Sequence, residues 1–102
     1  MKWFLGIRRM TRPESDWLDR VDEHLAWMRA QHERGTILIS GPSPDHMLGL
    51  YLMRALSHQD AAAIVAGDPL AQDGLATVEV IDWEVHQILG IGPFKLADVP
   101  HA

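Results

Sequence analysis

One stretch constrains this chain more than any other: HMLGLYLMR, His46 to Arg54. Read as a strand, it places Met47, Gly49, Tyr51 and Met53 on one side and Leu48, Leu50 and Leu52 on the other. Both sides are apolar. A half-solvated antiparallel sheet would show polar residues on one of them, so a sheet built around this strand needs cover on both faces.

The rest of the chain supplies cover for one face. Trp3 to Arg9 alternates, with Trp3, Leu5 and Ile7 on one side and Phe4, Gly6 and Arg8 on the other, which predicts a first strand. Thr11, Arg12, Pro13 and Glu14 fit a capping box with proline in the first turn, and Ser15 is a competing cap. From Trp17, the apolar positions Leu18, Val21, Leu25 and Met28 draw one stripe of a long amphipathic helix. Arg29, His32 and Arg34 suit its C-terminal end, and Gly35 is its natural stop. Thr36 to Ser40 is a β-branched strand, and GPSPD after it reads as the turn leading into His46–Arg54. Ser57 caps a second helix with the body AAAIVA, stopped by Gly67. Asp68-Pro69 opens one more short helical turn ending at Gly74, and Thr77 to Val85 is the last strand.

The resulting order, β-α-β-β-α-β, is the ferredoxin-like α+β arrangement: an antiparallel four-stranded sheet with both helices on one face. An apolar patch left on the other face marks an interface, so the expected assembly is a homodimer joined through its sheet faces. The alternative cover is the C-terminal tail, through Ile88, Leu89, Ile91 and Phe94. At 102 residues the chain is read as a single domain, 1–102, with a core over about 1–85 and a tail over about 86–102.

Composition excludes several function classes. A formal charge of −5 argues against a nucleic-acid partner, as does a third strand whose one stacking candidate is Tyr51. The absence of cysteine removes disulfides, thiolate metal sites and a thiol nucleophile. The apolar start is broken by Arg8 and Arg9, too short for a signal-peptide core or a membrane span, and a cytoplasmic protein without membrane contact is expected. His24 and His32 miss the i, i+4 spacing of a helical metal pair, and His46, His58, His86 and His101 fall in no ligand spacing. Gly90 to Gly92 runs into Pro93 and follows no helix start, so it is no dinucleotide fingerprint, and no cofactor is expected.

His24 lies on the edge of the helical stripe, beside Val21 and Met28. A partly buried imidazole there has the chemistry of a general base; a satisfied core-edge histidine is the plainer reading. Asp68 has a structural role of its own as N-cap of the turn at Pro69. Ser40 sits in no nucleophile elbow, and a strand-end serine commonly bonds nearby backbone. Arg8, Arg9 and Arg54 have the chemistry to bind a carboxylate or phenolate, although strand-end arginines commonly lie on the solvated rim.

His24-Leu25 on the first helix, Gly35, Ser40-Gly41-Pro42, Asp68-Pro69 and Gly74 together resemble the YCII-related family of small dimeric α+β barrel proteins. The resemblance runs from the first strand through Trp83. It implies a dimeric α+β barrel and a cleft in which a His–Asp pair, here His24 as base and Asp68 as its orienting partner, faces a small organic ligand. It also implies proton-transfer chemistry of the isomerase or lyase type, since one branch resembles a dehydrochlorinase acting on a chlorinated hydroxyquinol. Ser40, Gly41, Pro42 and Arg8 are the expected ligand contacts. A non-catalytic binding or accessory module is the other reading. The brief loop SPDHML and the tail after Trp83 depart from the family pattern beside the cleft, so the substrate does not carry over.

Overall fold

The computed structural model describes residues 1–88. Its elements are β1 (Lys2–Met10), α1 (Val21–Glu33), β2 (Ile37–Pro42), β3 (Leu48–Ala55), α2 (His58–Ala66), the short α3 (Pro69–Gln72) and β4 (Ala76–Trp83). The sheet runs β2-β3-β1-β4, with every pairing antiparallel. This is the expected ferredoxin-like α+β fold.

Register follows from the alternation. Phe4, Gly6 and Arg8 of β1 lie opposite Met53, Tyr51 and Gly49 of β3, so all six share one face. On that face Phe4, Tyr51, Met53, Ile37 and Ala55 form the main core with Met28 of α1 and Ala61 and Val65 of α2. Truncating a buried aromatic in such a core costs about 3–5 kcal/mol, so Phe4 and its neighbours hold both helices on this face. A second cluster, Met10, Trp17, Leu70 and Ala76, closes the end at which α3 sits.

Four local expectations are corrected. The capping box at Thr11 does not open the helix. Glu14–Asp16 and Leu18–Arg20 form two 3₁₀ turns, Pro13 makes no side-chain cap, and α1 begins only at Val21. Burying Trp17 in the second cluster, with its indole N–H donating to the Arg12 carbonyl at 3.2 Å, requires a break at Trp17 that a continuous helix could not make. Gly41 and Pro42 continue β2 rather than starting a turn. β2 is an edge strand, where a proline without N–H is tolerated. His46 belongs to the loop, in the left-handed region at φ 64°, and β3 starts at Leu48. Arg54 is buried rather than on a solvated rim, and its Nε donates to the Gly35 carbonyl at 2.8 Å.

Gly35 does stop α1. Its φ of 74° lets the Gly35 N–H reach the His32 carbonyl and the Thr36 N–H reach the Gln31 carbonyl, a Schellman closure that turns the chain into β2.

The opposite face of the sheet is apolar, as the two-sided pattern of β3 requires. Ile39, Leu50, Ile81 and Trp83 are 67%, 44%, 46% and 45% exposed there. At one end of this face Trp3 is buried with Val85, against Leu52 and Ile88. The remaining tail positions considered as cover, Leu89, Ile91 and Phe94, lie outside the described residues.

A buried histidine, aspartate, arginine and tyrosine beside an apolar pocket

Four polar side chains from four segments converge on the helix-covered face. α1 supplies His24, β1 supplies Arg8, β3 supplies Tyr51, and the turn before α3 supplies Asp68. Asp68 is completely buried. The sequence dictates its position: with Pro69 at the first helical position, Asp68 is the N-cap, and its Oδ1 accepts from the Leu70 N–H at 3.0 Å.

The network around Asp68 is closed. Its Oδ1 lies 2.9 Å from His24 Nδ1, and its Oδ2 accepts from the Tyr51 hydroxyl at 2.8 Å. Arg8 Nη1 is 3.5 Å from Oδ2, donates to the Tyr51 oxygen at 2.9 Å and lies 3.1 Å from His24 Nε2. A guanidinium has no acceptor, so His24 Nε2 must accept from Arg8. The ring proton therefore sits on Nδ1 and is donated to Asp68, which fixes a neutral imidazole in one tautomer.

The electrostatics follow from these bonds. Burial by itself pushes the Asp68 carboxyl up, but hydrogen bonds from His24, Tyr51 and the Leu70 N–H outweigh it and hold Asp68 below the usual carboxylate range. Burial, and then the Asp68 charge, push the Tyr51 hydroxyl well above the usual phenol range. Asp68 is thus an anion and a weak base, and Tyr51 stays a neutral donor. The Trp27 ring stacks on His24, with centroids 6.4 Å apart, and tilts against Tyr51 at 6.2 Å, which walls the imidazole in on the core side.

Space for the cluster is made by glycines of the ladder. A Cβ at Gly49 would lie 2.6 Å from Arg8 Cζ, and one at Gly6 would lie 2.9 Å from the Tyr51 ring.

Beside this network is a pocket of about 480 Å³, within the range of small-molecule sites. Arg8, His24 and Tyr51 line its polar side, and Trp17, Leu18, Val21, Leu25, Met28 and Leu70 its apolar wall. Ser40, Gly41 and Pro42 also line it, so of the residues named from the sequence His24, Arg8, Ser40, Gly41 and Pro42 lie at this pocket, while Arg9 and Arg54 do not. Asp68 stands behind His24 rather than on the lining. Ser40 Oγ is 2.8 Å from His32 Nε2, an exposed contact.

Five contributors escaped the sequence reading. Tyr51 was seen only as a stacking residue, although a tyrosine on a buried alternation needs a partner for its hydroxyl. Leu18 and Leu25, 57% and 51% exposed, read as core but form pocket wall. Glu14 and His46 also reach the lining, both on exposed loops with no periodicity to mark them. Among the described residues no group of three or more His, Asp or Glu is arranged to hold a metal ion, and no helix is long and apolar enough to cross a membrane.

Comparison with known proteins identifies the fold. The family model described as "YCII-related domain" matches residues 1–84. Among solved structures, the chain is similar to the 5-chloro-2-hydroxyhydroquinone dehydrochlorinase from Burkholderia phenoliruptrix AC1100, in complex with 2,5-dihydroxybenzoquinone. The TM-score is 0.68 at 23% identity, covering 79% of this chain and 92% of that one, a likeness of fold. No curated protein matches the sequence.

Proposed function

The chain belongs to the YCII-related family, and from that membership and the geometry above we propose that it binds a small cyclic or aromatic molecule and moves a proton on it. The observation that carries this reading is the 2.9 Å bond from His24 Nδ1 to a fully buried Asp68, with His24 itself on the pocket lining. In this mechanism His24 Nε2 takes a proton from the ligand, and the Asp68 carboxylate stabilises the imidazolium that forms. Asp68 orients and does not itself accept the proton, because three donors already occupy it. Returning the proton to a different ligand atom gives isomerisation. If a leaving group departs with its bonding pair instead, the outcome is elimination, as with chloride in the reaction named for the Burkholderia enzyme. The protein works as a homodimer whose apolar sheet faces, with Leu50, Ile81 and Trp83, cover one another.

Incubation with 5-chloro-2-hydroxyhydroquinone, followed by chloride release, tests the elimination arm, with 2,5-dihydroxybenzoquinone as a binding control. Chloride release that His24→Ala abolishes supports the mechanism; unchanged turnover in that variant ends it.

A second reading rests on a specific contact: both nitrogens of His24 are already engaged, Nε2 by Arg8 at 3.1 Å. A non-catalytic binding module would keep that arrangement throughout. It predicts ligand binding without turnover and tolerance of His24→Asn.

A further inference from the structure

Arg8 is buried at 5% exposure, yet its guanidinium spends its hydrogen bonds on neutral acceptors. Nη1 serves the Tyr51 hydroxyl and His24 Nε2, while its nearest carboxylate oxygen, on Asp68, is 3.5 Å away and already accepts from Tyr51. Arg8 Nε has no partner among the described residues. A buried cation in this condition gains by exchanging a neutral acceptor for an anionic one, since charge-assisted bonds are roughly twice as strong as neutral ones. The pocket it lines is otherwise apolar on its long wall, through Trp17, Leu25 and Leu70. The other charged or titratable lining groups, Glu14 and His46, are both exposed and screened by solvent.

Resting on the ligand-binding reading above, we infer that the pocket selects a flat ring bearing one oxyanion, a phenolate or a carboxylate. That anion draws the Arg8 guanidinium off His24 Nε2 and so uncaps the base. Arg8 is then a positioning residue with two states. In the free protein it holds His24 neutral and occupied; with ligand it pairs with the oxyanion and leaves Nε2 free to receive a proton. A neutral ligand of the same shape fills the apolar wall but leaves the cap in place. The resting seat depends on Gly49, across the ladder from Arg8, which puts no side chain where the guanidinium lies.

The test uses the full chain labelled with 15N-histidine, titrated with two matched pairs: benzoate against benzamide, and 4-nitrophenolate against 4-nitroanisole. Each anion is expected to bind about tenfold tighter than its neutral partner, the ratio that one charge-assisted hydrogen bond supplies. The pair with the larger ratio identifies which oxyanion the pocket takes. The His24 Nε2 resonance moves with the anions and stays put with the neutral compounds. In Arg8→Gln the preference collapses, and in Gly49→Ala, where the charge is kept but its seat is filled, Nε2 is already shifted without ligand. Should Arg8→Gln fail to fold, the wild-type pairs and Gly49→Ala still decide. Equal binding of charged and neutral partners, or anion binding with an unmoved Nε2, overturns this inference and leaves the pocket's ligand-binding role standing. Binding of none of the four compounds overturns both.

Discussion

Gly6 lies directly across the β1–β3 ladder from Tyr51, and the Tyr51 ring occupies the space that a side chain at position 6 would need. A single cross-strand pair thus links sheet packing to the site, because the hydroxyl on that ring holds Asp68 and receives Arg8.

Gly6→Ala should therefore act at a distance. Its Cβ would meet the Tyr51 ring at 2.9 Å and Val65 at 3.2 Å. Overpacking of that kind costs about 1–3 kcal/mol, and here it also pushes Tyr51 off Asp68. Urea unfolding should show the loss, and ligand affinity should fall with it. Wild-type stability in the variant would contradict this placement of Tyr51.

Asp68 gives a mutational and a pH signature. Asp68→Ala removes the cap of α3 and the counter-charge of a buried arginine together, and breaking such a pair costs about 3–5 kcal/mol. Asp68→Asn keeps an acceptor for the Leu70 N–H and should cost less. The folded carboxyl is held below its unfolded value near 3.9. Between those two values the unfolded chain binds more protons, so this stability is complete above about pH 5 and is lost as pH falls through the folded value. Asp68→Asn lacks the component. The stability gap between wild type and Asp68→Asn should narrow from about pH 6 to pH 3; a constant gap would count against the network.

At the alkaline end Tyr51 acts with the opposite sign. Its hydroxyl is held protonated in the fold, so its contribution is intact below about pH 10 and declines above it. Tyr51→Phe should lose stability at neutral pH yet fall off less steeply in alkali, as read by denaturation at a series of pH values. A parallel decline in both proteins would show that Tyr51 titrates freely.

The fold was legible from the strand alternations, the helical stripe and the cap residues. Two-sided apolarity in β3 predicted an apolar open face, and Gly35 and Ser57 marked helix boundaries that the structure keeps. Local signals failed where tertiary packing overrode them. Burial of Trp17 displaced the start of α1 from the capping box, and edge position let Pro42 stay in a strand. In the site, His24 and Asp68 could be named from the family pattern, while their approach across the fold could not be read from spacing. Tyr51 was hidden for a different reason: on an alternation that reads as core, its hydroxyl leaves no trace in the hydrophobic pattern.

The open face makes an assembly prediction. Leu50→Lys or Ile81→Lys places a charge in the centre of a surface that the proposed dimer buries, where an unpaired charge is costly. Sedimentation equilibrium should show a wild-type dimer and mostly monomer for either variant, with α-helical content kept. A monomeric wild type, or dimers unaffected by both substitutions, would assign this face another role.

The central claim is that Asp68 holds His24 with its proton on Nδ1, so that the unprotonated Nε2, which accepts from Arg8 in the free protein, is the nitrogen that takes a proton from the ligand. The 15N and attached-proton resonances of the His24 ring at neutral pH test it most directly. The account predicts a protonated Nδ1 and a bare Nε2, with the two forms mixing in Asp68→Asn. A proton found on Nε2 in the wild-type protein would contradict it.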